Sequence, residues 1–311
     1  MQAARIHRFG PPDVIELDDI PRPEPGPDQV LVRVKSAGVG PWDALIREQK
    51  SVVSVPLPIT LGSDLAGIVE SVGSAVSGFH PGDRVYGVTN SQFVGAYAEF
   101  ALASANRIAK KPDSLTWNEA ASAPVVAVTA WQMLFDYAKA QAGQTVLIHG
   151  AAGNVGAYAV QLANRAGLGV YATASSEDLP FVRSLGVEKA IGYETGRFED
   201  VVPKVDIVLD MVGGDTKNRS YYAIKPGGIL VSVVSNASPG FDPPSGVQSV
   251  FFLVDVTTER LEKLTTLFDR GELRARVGTV LPLAHAREAH EMLAGAPHQS
   301  GKIVLTVADA V

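Results

Sequence analysis

Apolar and polar positions divide the chain into two textures. Up to about Leu115 they alternate in short runs. VLVRVKSAGV (30–39) has the two-residue period of a half-buried strand. LAGIVESVG (65–73) and GDRVYGV (82–88) read as further strands, with Gly78 and Pro81-Gly82 marking turns. Prolines crowd IPRPEPGPDQ, an extended stretch with few backbone donors. This first part is predicted to be all-β and barrel-like. From Thr116 the pattern changes to a helix-forming stretch interrupted at Pro124. Strand and helix patterns then alternate through a central βαβ entrance within 145–167, VYATAS, LPFVRSLG, KAIGY, VDIVLDMVGG, a helix after Asp215, and GGILVSVVS. SVFFLVDV (249–256) reads as the last strand. Such alternation implies a parallel sheet covered by helices. A tail follows with a helix over about 258–270, a strand at VGTVLPL, a helix over 284–294 and a strand at KIVLTV. It is read as returning to the first part. The expected domains are therefore 1–117 with 257–311, enclosing 118–256.

The most informative stretch is TVLIHGAAGNVGAYAVQLANRAG (145–167). Val146-Leu147-Ile148 suits a strand buried on both faces. A turn through Gly150, Ala151, Ala152 and Gly153 follows, then apolar residues at Val155, Ala159, Leu162, Ala163 and Ala166 on one helical face. Strand, glycine turn and helix form the entrance of a dinucleotide-binding βαβ unit, although Ala151 stands where the Gly-x-Gly-x-x-Gly frame has its first glycine. The first helical amides, from Asn154 and Val155 onward, favour a phosphate. Gly153 lets the backbone approach it, and Gly156 lets the helix lie close to the strand. VYATASS ends in Ala174-Ser175-Ser176 rather than in an acid. Ser175 and Ser176 leave room for a 2′-phosphate and can donate to it, which selects NADPH and leaves NADH as the alternative. Glu177 and Asp178 oppose such a phosphate unless they face solvent or Arg183 compensates. Val212-Gly213 follows a strand whose carboxyl edge opens on the ligand crevice, or is an ordinary turn.

Composition narrows the rest. With 311 residues the chain exceeds one ordinary core. A net charge of −6 and the lack of a basic run offer nothing to nucleic acid, and no apolar stretch would span a bilayer. MQAARIHRFG lacks the apolar core of a secretion signal, so the expected location is cytoplasmic. The absence of cysteine removes disulfides, thiolate zinc sites and cysteine nucleophiles. The six histidines show no metal spacing, and His149 reads as a strand-end residue rather than a base.

GSDLAGIVESVG, GDRVYG, AYAEFALA, AVTAWQ, HGAAGNVG, VRSLG, VLDMVGG, KPGGILVSV and GKIVL occur in this order across nearly the whole chain. With these segments the protein resembles the zinc-independent quinone oxidoreductase branch of the medium-chain dehydrogenase/reductase superfamily. The resemblance implies an α/β fold: a GroES-like, β-barrel-type catalytic domain plus a Rossmann domain with a doubly wound parallel sheet. It also implies an active-site cleft between the domains and a homodimer joined through the last Rossmann strand. Where zinc-dependent relatives hold metal, this chain reads Gly62-Ser63-Asp64 and Gly40-Pro41-Trp42-Asp43, so no metal site is expected. An acceptor that needs no Lewis acid then follows: a quinone or an α,β-unsaturated carbonyl taking hydride from the nicotinamide. An enoyl-thioester reductase and a non-catalytic coenzyme-binding sensor are the alternatives.

The resemblance also assigns roles. Tyr193 is expected against the 2′-phosphate, or as a plain strand aromatic. Thr129 is expected to face the coenzyme, or to be a buried core threonine. Ser235 and Phe252 are expected near the nicotinamide, with dimer packing open for Phe252. Lys302 is expected near the coenzyme, or as a surface lysine. The family's acceptor-side asparagine is replaced by Gly40, and no tyrosine occurs between Trp42 and Leu61. Asn90, Gln92, Phe93 and Tyr97 stand as substitutes. Asn90 and Tyr97 are the catalytic candidates, Tyr97 as proton donor or as a packed barrel aromatic. Water is the alternative proton source, and Asp43 is read as capping a helix that starts near Ala44.

Overall fold

The computed structural model describes residues 1–234 and 241–307. The chain forms two compact units, Met1–Val125 with Asp255–Val311, and Val126–Val254.

The first unit begins with β1 (Gln2–Ile6) and β2 (Ile15–Asp19), followed by the long β3 (Gln29–Val39). Helix α1 (Pro41–Arg47) starts three residues earlier than expected, because Pro41 fits a first helical turn that needs no amide donor. Strands β4 (Ile59–Thr60), β5 (Asp64–Val72), β6 (Arg84–Val88), β7 (Phe100–Ser104) and β8 (Ile108–Lys110) follow. Gly78 and Gly82 take φ of +92° and +93° in the turn between β5 and β6. Helix α2 (Trp117–Ser122) opens on a capping box: the Thr116 amide donates to Glu119 Oε2 at 2.9 Å, and the Glu119 amide donates to Thr116 Oγ1 at 3.3 Å. This helix packs on β3 and β5 and belongs to the first unit, although its texture placed it with the second. Helix-forming sequence says nothing about which sheet buries the helix.

Pro124 opens α3 (Pro124–Trp131), which runs into a wider π-helical turn at Gln132–Tyr137. The second unit then winds through β9 (Thr145–His149), α4 (Asn154–Arg165), β10 (Gly169–Ala174), α5 (Leu179–Ser184), β11 (Lys189–Gly192), β12 (Val205–Asp210), α6 (Gly214–Ser220), β13 (Ile224–Ser232) and β14 (Gln248–Phe251). The six strands are parallel, in the order β11-β10-β9-β12-β13-β14. That is the 3-2-1-4-5-6 order of the Rossmann fold that the family resemblance implies, and the sheet is parallel as the alternating pattern implies. Val146, Leu147 and Ile148 are fully buried in the central β9, as an unbroken apolar run requires. Leu162 of α4 is also buried, a residue type whose burial stabilises by about 1.5–3 kcal/mol. The last strand is shorter than the apolar run 249–256. It ends at Phe251, and by Asp255 the chain has rejoined the first unit, where Arg107 donates to Asp255 Oδ1 at 3.1 Å and to the Val256 carbonyl at 3.0 Å.

The tail completes the first unit with α7 (Thr258–Asp269), β15 (Val277–Pro282), α8 (Ala286–Leu293) and β16 (Lys302–Thr306). β16 pairs antiparallel with β3 and joins a seven-stranded sheet in which β15, β16, β3, β5, β6 and β8 run in that order, with β7 also on β3. A smaller sheet has the order β2-β1-β4.

Candidate functional site

In the second unit the chain leaves β9 through Gly150, whose φ of +72° lies in the left-handed region that favours glycine. The Ala151 amide donates to the Thr173 carbonyl at 3.0 Å and ties this turn to β10. Gly153 is the N-cap of α4, and a side chain there would meet only the Gly150 carbonyl oxygen, at 3.2 Å. At Gly156 a Cβ would collide with that same oxygen, so this glycine lets the helix sit on the turn that feeds it. The opening amides of a helix have no intrahelical acceptor. Those of Asn154, Val155 and Gly156 open a twelve-residue helix. Ala152, Gly153, Asn154, Val155 and Gly156 lie on the turn after β9 and the first turn of α4.

The floor of this turn is a buried polar network. Ser220 Oγ donates to the Thr216 carbonyl at 2.6 Å, which uses its only proton. Its 2.8 Å contact with His149 Nε2 is therefore a bond it accepts, and the ring proton sits on Nε2. Nδ1 then accepts from Thr173 Oγ1 at 2.9 Å. Burial holds the His149 pKa down, to about 4, so the ring stays neutral and structural. Asp210 ends β12: its Oδ1 accepts from the amides of Val212, at 3.0 Å, and Gly213, at 2.8 Å, while Oδ2 accepts from Ser232 Oγ at 2.8 Å. These bonds fix the Val212-Gly213 turn at the carboxyl edge of the sheet, with Gly213 at φ +79° and Val212 exposed.

At the end of β10, Ser175 Oγ donates to Asp178 Oδ2 at 2.8 Å, and the Ser176 amide donates to Glu194 Oε2 at 2.8 Å. Tyr193 follows β11, and its side chain is exposed. Thr129 is buried on α3. Phe252 is buried and stacked on Tyr137, with ring centroids 4.3 Å apart. Ser235 lies outside the described residues.

The first unit holds a second polar cluster. Lys302, at the start of β16, is buried, and its Nζ donates to Asp64 Oδ2 at 2.9 Å; it is not a surface lysine. Asp64 Oδ1 accepts the Val125 amide at 2.9 Å. Asp43 caps α1 by accepting the Gly40 amide at 2.8 Å, and the same Oδ2 accepts the Tyr97 hydroxyl at 2.9 Å. Asp43 Oδ1 is buried with no partner. Burial raises the Asp43 pKa to about 7, against the lowering effects of the Gly40 amide, Lys302 and Tyr97. Tyr97 is fully buried, and burial beside that carboxylate holds its hydroxyl well above the ordinary phenol range. Asn90 folds its own loop, donating to the Val94 carbonyl at 2.8 Å and accepting the Gln92 amide at 2.9 Å. Asn90 and Tyr97 share no hydrogen bond, and each is committed to holding local structure. Sequence reasoning identified the Asp43 cap but missed its coupling to Tyr97. A legible trace of it is Gly62, at φ +84°, where any Cβ would overlap the Tyr97 ring.

Two family descriptions match the chain: an alcohol dehydrogenase GroES-like domain over residues 26–113 and a zinc-binding dehydrogenase domain over residues 185–305. A quinone oxidoreductase of Mus musculus is 32% identical over 98% of this chain and 97% of its own length. An NADPH-dependent alkenal/one oxidoreductase of Arabidopsis thaliana is 33% identical over 98% of this chain and 79% of its own. The solved quinone oxidoreductase of Coxiella burnetii superposes with a TM-score of 0.90 at 33% identity, covering 99% of both chains. Together with the Rossmann strand order, these matches make the chain a quinone oxidoreductase-like enzyme of the medium-chain dehydrogenase/reductase superfamily.

Proposed function

We propose that the protein is a cytoplasmic, metal-free reductase that passes hydride from NADPH to a quinone or an α,β-unsaturated carbonyl. The observation that carries this reading is the Gly150–Gly156 turn, whose open helical amides sit over the central strand of the sheet. The residues that would hold the dinucleotide are Gly150, Ala152, Gly153, Asn154, Val155 and Gly156 at the pyrophosphate, and Ser175, Ser176 and Tyr193 at the adenosine ribose. Val212, Gly213, Thr129, Phe252 and Ser235 are assigned to the nicotinamide half. When bound, the coenzyme supplies the hydride. The protein orients it, with the Asp210 bonds holding the Val212-Gly213 edge in place.

Zinc does not fit the residues at hand. One matching domain description is of a zinc-binding dehydrogenase, but both oxygens of Asp64 are engaged, one by the Lys302 ammonium. Asp43 Oδ2 is held by the Gly40 amide and the Tyr97 hydroxyl, which leaves Asp43 Oδ1 as a single buried oxygen, and the chain has no cysteine. A lone carboxylate facing an ammonium is no zinc ligand set. Quinones and enones suit this arrangement because they delocalise the charge that hydride brings. With Tyr97 committed to Asp43 and Asn90 to its own loop, the proton comes from water and neither side chain supplies it. Lys302 holds Asp64 and is likewise given no direct coenzyme contact. The homodimer belongs to the same proposal: β14 is the edge strand of the six-stranded sheet, with Leu253 exposed beyond it.

The test is an acceptor screen that follows loss of reduced-nicotinamide absorbance with quinones, enones and enoyl thioesters, run with and without chelator. Turnover of quinones or enones that is indifferent to chelator is expected. Chelator-sensitive turnover, or coenzyme binding with no oxidation by any acceptor, would overturn the reading.

A further inference from the structure

The carboxyl end of the second strand in a dinucleotide-binding sheet meets the adenosine ribose, where an acid suits a free 2′-hydroxyl and donors suit a 2′-phosphate. Here that strand is β10, and it ends in serines. The acid comes instead from the neighbouring strand. β11 stops at Gly192, and the turn beyond it brings Glu194 back so that its Oε2 accepts the Ser176 amide at 2.8 Å. Gly192 keeps this turn tight: a Cβ there would lie 3.2 Å from Ser176 Oγ and 3.1 Å from Thr195 Oγ1. The Ser176 hydroxyl and amide both hold the Glu194 carboxyl below the usual range. The other available donor, Ser175 Oγ, is held by Asp178 Oδ2 at 2.8 Å, and the Asp178 amide donates back to it at 3.2 Å. The two serines that would receive a 2′-phosphate are therefore already engaged by carboxylates. The two acids differ in how they are held. Asp178 is tied locally, three residues from its partner. Glu194 is exposed and reaches across from another strand, so it can swing into solvent.

We propose that Glu194 narrows the preference for NADPH over NADH: its carboxylate occupies the 2′-phosphate position at Ser176, remains to accept the 2′-hydroxyl of NADH, and must be displaced for NADPH to bind. This rests on the dinucleotide reading of the Gly150–Gly156 turn. NADPH then loses affinity by displacing a hydrogen-bonded carboxylate and by lying near its charge, whereas NADH does neither. The effect of the charge weakens with added salt, since both groups are solvated.

Isothermal titration of the full chain with NADPH and with NADH, for the parent, Glu194→Gln and Glu194→Ala, tests this without turnover. Glu194→Gln is expected to tighten NADPH on the order of 10-fold and to change NADH less than about 2-fold. Glu194→Ala, which removes the acceptor as well, is expected to tighten NADPH and weaken NADH. An exposed turn residue tolerates both changes, and circular dichroism verifies the fold. If the parent binds both coenzymes and the affinity ratio is unchanged in both variants, the role of Glu194 is refuted while the dinucleotide site stands. If the parent binds neither, the dinucleotide reading falls and takes this inference with it.

Discussion

Asp43 offers the sharpest physical test of the first unit. Its carboxyl is buried and accepts two hydrogen bonds on Oδ2, while Oδ1 has no partner. Its pKa in the folded chain is about 7, against an ordinary value of 3.8. The folded state therefore binds this proton more tightly than the unfolded state does. The resulting stabilisation is complete below pH 4 and is lost as pH rises through 7. At 1.36 kcal/mol per tenfold change in proton affinity, the loss is on the order of 4 kcal/mol, more than half of it between pH 5 and pH 8. Asp43→Asn imitates the protonated acid: its oxygen can accept from Gly40 and Tyr97, and its amide fills the unpartnered position. Urea unfolding followed by the fluorescence of Trp42 and Trp117, in a Trp131→Phe background, reads this unit. The stability of the variant relative to the parent should rise by about 2–3 kcal/mol from pH 5 to pH 8. Taking the difference removes contributions that do not involve Asp43. Parallel pH profiles would refute the reasoning, because they would mean that Asp43 carries the same proton affinity folded and unfolded.

Three further outcomes are expected. Nitrogen NMR should show His149 neutral at pH 5.5 with its proton on Nε2, as the Ser220 bond to Thr216 dictates; its pKa is depressed to about 4, so it lowers stability only as pH falls from 6.5 through 4. A proton on Nδ1 would break the proposed network. Gly153→Asp should abolish coenzyme binding by titration while the circular dichroism stays native, whereas Gly156→Val should lower the thermal midpoint because its side chain meets the Gly150 carbonyl. Retained affinity in the first variant would misplace the phosphates. Lys302→Met should destabilise by about 3–5 kcal/mol in urea, because it leaves Asp64 buried and unpaired, and adding Asp64→Asn should recover part of that loss. Equal stability of the single and double variants would show that the pair carries no coupling.

Much of the second unit was legible before any coordinates. An apolar run at 146–148, a glycine turn and a helical stripe are local signals, and each is set by residues within about twenty positions of one another. They place β9 and α4. The same local logic overreached at 249–256, where apolar character persists after the strand has ended. It also assigns 118–122 to the second unit, whereas they belong to the first. Hydrophobicity reports that a residue is buried, not which partner buries it. At the catalytic candidates the limit was different. Tyr97 and Asn90 were chosen as polar residues near the expected acceptor, but a side chain's chemistry depends on where its hydrogen bonds go. In Tyr97 the bond goes to Asp43, 54 positions away.

The two textures, the alternation that makes a parallel sheet, the glycine turn and the lack of a thiolate ligand set follow from residue type and short spacing alone. Folding in three dimensions is what sets Lys302 against Asp64 across 238 positions, lets Asp43 keep its proton near neutrality, and brings Glu194 on the turn after β11 to Ser176. Long-range pairing and burial set those outcomes, because the energy of a charge depends on its surroundings far more than on the residue that carries it.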